Sequence, residues 1–117
     1  MDEIERSRGS AKGRNRGTAY GNLVWAVAVS PDKSVGLAEQ TRLTLVEIDS
    51  ILKEFGTSKA RLLNATVYVH EMHRKDEMDK VWNEWIGLDP SHWPQRACVG
   101  VELAQGTLVE IVVLAAR

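Results

Sequence analysis

Most residues whose type and spacing could do chemistry fall near the end of the chain, in the run PQRACVGVELAQGTLVEI. Arg96 follows Pro94-Gln95 at the mouth of an apolar strand. Proline lacks an amide donor and restricts the residue before it, so the chain bends there and Arg96 stands at a strand entrance. A surface arginine fits that position. So does an anion clamp, because a guanidinium offers two parallel N–H donors that match a carboxylate. Glu110 lies between Val109 and Ile111, inside the second apolar run. A charge there is costly unless it is paired or lines a cavity. It reads as a structural ion pair at a subunit interface, or as a partly desolvated carboxylate suited to proton transfer. Cys98 comes two residues after Arg96, so both side chains project to one side of a strand. The cysteine is a packing group, or it lines a pocket with Arg96 and has its pKa lowered by that cation.

Other polar residues say less. His70, His73 and His92 lack a cysteine or acid at metal-ligand spacing, so no metal site is expected. Asp79 sits one position from a helical apolar stripe and reads as a solvated helix residue. Trp82 and Trp85 read as core. The glycines of GRNRG have neither a strand before them nor a helix after them, as a phosphate-binding loop would require.

These residues need elements to position them. Leu23–Val29, LVWAVAV, is apolar throughout, as in a strand buried on both faces. Leu45, Ile48, Ile51, Leu52 and Phe55 recur at helical spacing and predict a helix over 37–55, with Gly56 just past its end. Residues 61–70 form a strand rich in β-branched side chains, with Leu63, Ala65, Val67 and Val69 on one face. A second helix over 74–86 carries Met78, Val81, Trp82, Trp85 and Ile86 as its stripe. Residues 97–104 and 108–116 read as a hairpin around Gln105-Gly106. The order is β, α, β, α, β, β, with a further N-terminal strand. Two helices cover one face of such a sheet, yet LVWAVAV and LVEIVVLAA are apolar on both faces. The uncovered face should meet another subunit, so a homo-oligomer is expected.

The 117 residues suit one domain, with residues 1–12 as a flexible tail. Arg6, Arg8, Lys12, Arg14 and Arg16, within the polar residues 1–17, could also form a nucleic-acid arm, but Asp2, Glu3 and Glu5 dilute them. A net charge of -1 gives no reason to expect nucleic acid or an anionic membrane. No apolar run approaches the ~20 residues of a membrane helix. The polar start MDEIERSRGS has no secretory pattern, and the single cysteine forms no internal disulfide. A cytoplasmic protein is expected.

Asn64-Ala-Thr-Val-Tyr-Val, Met78-Asp-Lys-Val-Trp and Pro94-Gln-Arg-Ala-Cys-Val occur in the order seen in one family. From about Leu23 to Arg117 the chain resembles the RidA (YjgF) family of enamine/imine deaminases. The resemblance implies an α+β, chorismate-mutase-like fold: a mixed sheet with two helices on one face, assembled as a homotrimer with ligand clefts between subunits. It implies that Arg96 grips a substrate carboxylate, that Glu110 places or activates a water, and that Cys98 lines the pocket. The implied activity is hydrolysis of 2-aminoacrylate-like 2-imino acids to a 2-keto acid and ammonia. No cofactor or metal is needed, because the imine carbon is already electrophilic.

The departures from the pattern surround the pocket. Val27-Ala28 stands where many members have Ser-Gly, and Arg14 falls near a tyrosine position. Asp79 replaces the helix asparagine, and Lys75 replaces an aromatic residue. Arg14 or Arg16 could add a second cation for a dicarboxylate, and Asp79 joins the substrate-binding set. A divergent subgroup is expected. Its alternatives are a deaminase of another intermediate, such as an aminomuconate-type compound, and a non-catalytic carboxylate-binding regulatory trimer.

Overall fold

The structure, a computed structural model, describes residues 3–117. Its elements are β1 (Glu5–Ser7), β2 (Gly17–Tyr20), β3 (Leu23–Val29), α1 (Leu37–Glu54), β4 (Leu62–Val69), α2 (Lys75–Ile86), β5 (Gln95–Gly100) and β6 (Val109–Ala116). The six strands form one sheet in the order β1-β2-β3-β6-β4-β5. All neighbours are antiparallel except β4 and β5. A parallel pair needs a long crossover, which α2 supplies. The α+β class and the mixed sheet with two helices agree with the sequence reading.

The expected hairpin does not form. β6 runs between β3 and β4, while β5 lies at the sheet edge on the far side of β4. Burial follows the separation: β6 alternates buried and half-buried residues along its whole length, whereas β5, at the edge, leaves Gln95, Ala97, Val99 and Gly100 exposed in the single chain. Gly106 still takes a positive φ of 81°, but it serves a longer connection instead of a two-residue turn.

α1 buries Leu45, Ile48, Ile51 and Leu52 against the sheet. Each such side chain contributes about 1.5–3 kcal/mol on leaving water. The helix ends as its sequence predicts. Gly56 has φ 78°, its amide donates to Lys53 O at 3.0 Å, and the Thr57 amide donates to Leu52 O at 2.9 Å. Met78, Trp82 and Ile86 are the buried stripe of α2. With the buried residues of both helices, Val24, Ala26 and Ala28 of β3, Ala65, Val67 and Val69 of β4, and Val109, Ile111, Val113 and Ala115 of β6 complete one core. A register irregularity between Leu62 and Asn64 turns Leu62 inward and leaves Leu63 exposed, against the expected face.

The first residues depart from the expected tail. Met1 and Asp2 lie outside the described residues. Glu5–Ser7 is an edge strand on β2, and Ser7 is fully buried. Gly17 opens β2 because α1 packs closely there: a Cβ at this position would lie 2.6 Å from Ile51 Cγ2. No helix among the described residues is long and apolar enough to cross a membrane.

The face opposite the helices is open in the single chain. Leu23 and Trp25 are exposed on β3, and Val27 and Val29 are half-buried. Tyr68 on β4 and Val112 and Leu114 on β6 are half-buried too. The strands read as apolar on both faces therefore bury only one of them within a chain.

Candidate functional site

The residues singled out by sequence gather in two places. The first lies where the edge strand β5 meets α2. Arg96 pairs in register with Ala65, and Cys98 with Val67. Ala65 and Val67 face the helices, so Arg96 and Cys98 do as well. The Arg96 Nη2 donates to Asp79 Oδ1 at 2.6 Å, and Nη1 approaches Met78 Sδ at 3.7 Å. The guanidinium carbon lies 5.2 Å from the centre of the Trp82 ring, a stacking distance for this cation. The Arg96 side chain keeps only 17% of its exposure.

Lys75, Met78, Asp79 and Trp82 are spaced to share one face of α2, which is how a single helix builds three sides of this corner. Lys75 Nζ donates to the other carboxylate oxygen of Asp79 at 2.5 Å. Burial alone would raise the Asp79 carboxyl. The hydrogen bonds from Lys75 and Arg96, and the charges of both, outweigh burial and hold it below the ordinary aspartate value. Asp79 is thus a bridge between two cations, where sequence suggested a solvated residue. Cys98 also departs from expectation. Burial pushes its thiol up, and the nearby Arg96 and Lys75 only partly oppose this, with Asp79 acting alongside burial. The thiol stays protonated at neutral pH. Trp82 is core, as read, and is also the platform for Arg96.

The second place lies at the other face of the sheet. Glu110 is paired with Val29 of β3 and Tyr68 of β4, between the inward-facing Val109 and Ile111. It lines a cavity of about 470 Å³ together with Arg8, Arg14, Arg16, Val27 and Val29. The connection from β1 to β2 forms the other wall. It is tied down by Arg16, whose amide donates to Ser7 O at 3.0 Å while its own carbonyl accepts from the Val27 amide at 3.0 Å. The Arg16 guanidinium meets Glu47 and Glu54 of α1, each at 3.3 Å. Its Nε donates to the Ser7 hydroxyl at 2.9 Å, and that hydroxyl donates to Glu54 at 2.6 Å. The Ser7 hydrogen bond, followed by those of Arg16, holds the Glu54 carboxyl below its ordinary value against the effect of burial.

Arg8 and Arg14 have no hydrogen-bond or ion-pair partner among the described residues. Sequence reading missed Arg8, and also Lys33 in the turn after β3. Partial burial pushes the Lys33 amine down, and the charge of Glu110 partly offsets this. Lys33 donates to Ser30 O at 2.6 Å. Nothing in its local sequence marks it as a neighbour of Glu110. The histidines stay apart: His70 Nδ1 accepts from the Leu103 amide, while His73 and His92 lie near Glu71 and Asp89.

Arg96, Cys98 and Asp79 thus belong to one corner, and Glu110 and Arg14 to another. The sheet separates them within a chain. The sequence pattern described as Endoribonuclease L-PSP matches residues 25–117. The chain is a member of the RidA/YjgF family. A RutC family protein of Haemophilus ducreyi is 40% identical over 101 residues, which are 86% of this chain and 81% of that protein. NMB1025 of Neisseria meningitidis, a YjgF family member, superposes with a TM-score of 0.88 at 31% identity, over 98% of this chain and 95% of that one. E. coli TdcF, solved with bound serine, has the same fold with a TM-score of 0.85 at 21% identity, covering 100% of this chain and 98% of its own.

Proposed function

We propose that the protein is a hydrolytic deaminase of reactive 2-imino acids and their enamine tautomers, working as a homotrimer in which Arg96 of one subunit and Glu110 of the next share a cleft. The observation that supports this best is the split itself. A guanidinium on the helix side of an edge strand and a carboxylate on the open face of the same sheet can serve one ligand only if two copies supply them. The open apolar face of β3, β4 and β6 offers the surface for such an assembly. The ligand class is compatible with the serine held by TdcF, an amino acid that also bears an α-carboxylate.

The chemistry needs little from the protein. The substrate carboxylate takes the place of Asp79 on Arg96, and Asp79 keeps Lys75 as its partner. Trp82 holds the guanidinium plane. Backbone groups of β5 near Cys98 hold the nitrogen end. Glu110 accepts a proton from water as the water oxygen bonds to the imine carbon and the C=N electron pair moves onto nitrogen, and it returns that proton to the nitrogen. The hydroxyl proton of the resulting amino alcohol is then relayed through Glu110 to the same nitrogen as the C–N bond breaks, giving ammonia and the 2-keto acid. Positioning and proton relay supply the rate. The protonated Cys98 thiol is a wall and takes no nucleophilic part. A reactive, short-lived substrate of this kind fits a cytoplasmic setting.

A trapping assay tests the proposal. An amino-acid oxidase generates imines, and semicarbazide captures what escapes hydrolysis. The protein should slow semicarbazone formation, and Arg96→Ala should lose the effect while keeping the assembly. Unchanged semicarbazone formation across a panel of amino acids would leave a carboxylate-binding regulatory trimer. Turnover confined to another C–N substrate, such as an aminomuconate-type compound, would replace the substrate class.

A further inference from the structure

We infer that the cavity beneath the β1–β2 connection is an anion subsite for a second, distal carboxylate, so that the preferred ligands are 2-imino and 2-oxo dicarboxylates. This rests on the function proposed above and adds the substrate class. The charges facing the cavity are Arg8, Arg14, Arg16, Glu47 and Glu110. Arg16 and Glu47 satisfy one another, with Glu54 as a second acid on Arg16. Lys33 stands beside Glu110. Arg8 and Arg14 remain as guanidiniums with no carboxylate partner among the described residues.

Two such forks converging on one cavity attract an anion that can accept from both. The volume of about 470 Å³ falls within the range of small-ligand sites. Gly13, with φ 85°, lies in the connection between Arg8 and Arg14, both of which line the cavity. The positions of the acids also set a direction. Glu110 repels a carboxylate placed against it, so the distal group belongs at the arginine end and the reacting carbon at the Glu110 end. Val27 and Val29 line the path between with apolar surface. Arg96, by contrast, already has Asp79 as its partner. The unneutralised cations of the cavity therefore give a dicarboxylate an advantage that a monocarboxylate lacks.

The test is calorimetric titration of the full chain with 2-oxoglutarate and 2-oxopentanoate, which have equal carbon number and differ by the distal carboxylate. Wild type should bind 2-oxoglutarate at least about tenfold tighter at low salt. Arg14→Ala and Arg8→Ala should each bring the ratio below about threefold, with the lysine variants in between. Arg96→Ala should weaken both ligands and leave the ratio standing. Equal affinity in wild type, binding of neither ligand, or a ratio unmoved by the arginine variants would overturn the inference. So would dissociation of the assembly by Arg14→Ala in light scattering, which would give the arginines to a subunit contact. Failure of the deaminase proposal looks different: the ratio persists while semicarbazone trapping is unaffected.

Discussion

Arg96 and Arg14 are both arginines near a suspected ligand site, yet their surroundings are opposite. Arg96 is four-fifths covered, hydrogen-bonded to Asp79 at 2.6 Å and stacked on Trp82. Arg14 is exposed on a glycine-rich connection and has no partner among the described residues. The first is oriented and neutralised, so it binds an anion only by exchange. The second is unneutralised and less fixed, so it adds attraction without a preset geometry. Residue type alone does not decide what a cation can do. The nearest acid and the packing around it do.

Several substitutions break or sharpen this contrast. The largest effect is expected from Glu110→Gln, which keeps shape and removes the proposed proton acceptor. We expect kcat for imine hydrolysis to fall about 10²- to 10⁴-fold in the trapping assay, with ligand affinity little changed. Gly17→Ala acts on the scaffold. The new methyl would meet Ile51 of α1 and Phe55 just past its end and press on Ser7, and so disturb the anchor of Arg16. A loss of about 1–3 kcal/mol is expected, read as a lower Tm and an earlier denaturant midpoint. Asp79→Asn removes the competitor at Arg96, and monocarboxylate binding should tighten about three- to tenfold by calorimetry.

The smallest effect concerns pH. Asp79 is held below its ordinary value in the folded chain, so its contribution is fully present above the unfolded aspartate range. That contribution is lost as pH falls through the folded value. Wild type should therefore lose stability toward acid more steeply than Asp79→Asn, measured as Tm against pH from neutral downward. Equal slopes would mean that the Arg96–Asp79 bridge contributes nothing in solution.

Local signals in the sequence carried much of the fold. The helical spacing of Leu45, Ile48, Ile51 and Leu52 gave α1 its extent, and Gly56 gave its end. The unbroken apolar run at Leu23–Val29 gave β3 its bounds. What failed was non-local. A turn signal at Gln105-Gly106 cannot say that β6 crosses to the other side of β4, because that pairing joins residues far apart in sequence. The bulge near Leu62 shifted one face by a residue. The strand at Glu5–Ser7 is held by Arg16, Thr18 and Ala19, partners nine or more residues away that its own composition does not announce. At the site, residue types were legible and pairings were not. Asp79 lies seventeen positions before Arg96, and only the fold of α2 over β5 brings them together. The burial that pushes the Cys98 thiol up is likewise a property of packing.

The most direct test of the central claim is subunit complementation. Arg96→Ala and Glu110→Gln chains, each inactive alone, are co-expressed with different tags and purified through both. If the site is shared between subunits of a trimer, each doubly tagged mixed assembly holds one intact site in three and should recover about a third of wild-type imine hydrolysis per site. Mixed assemblies no more active than either parent would contradict a shared site and return Arg96 and Glu110 to separate, structural tasks.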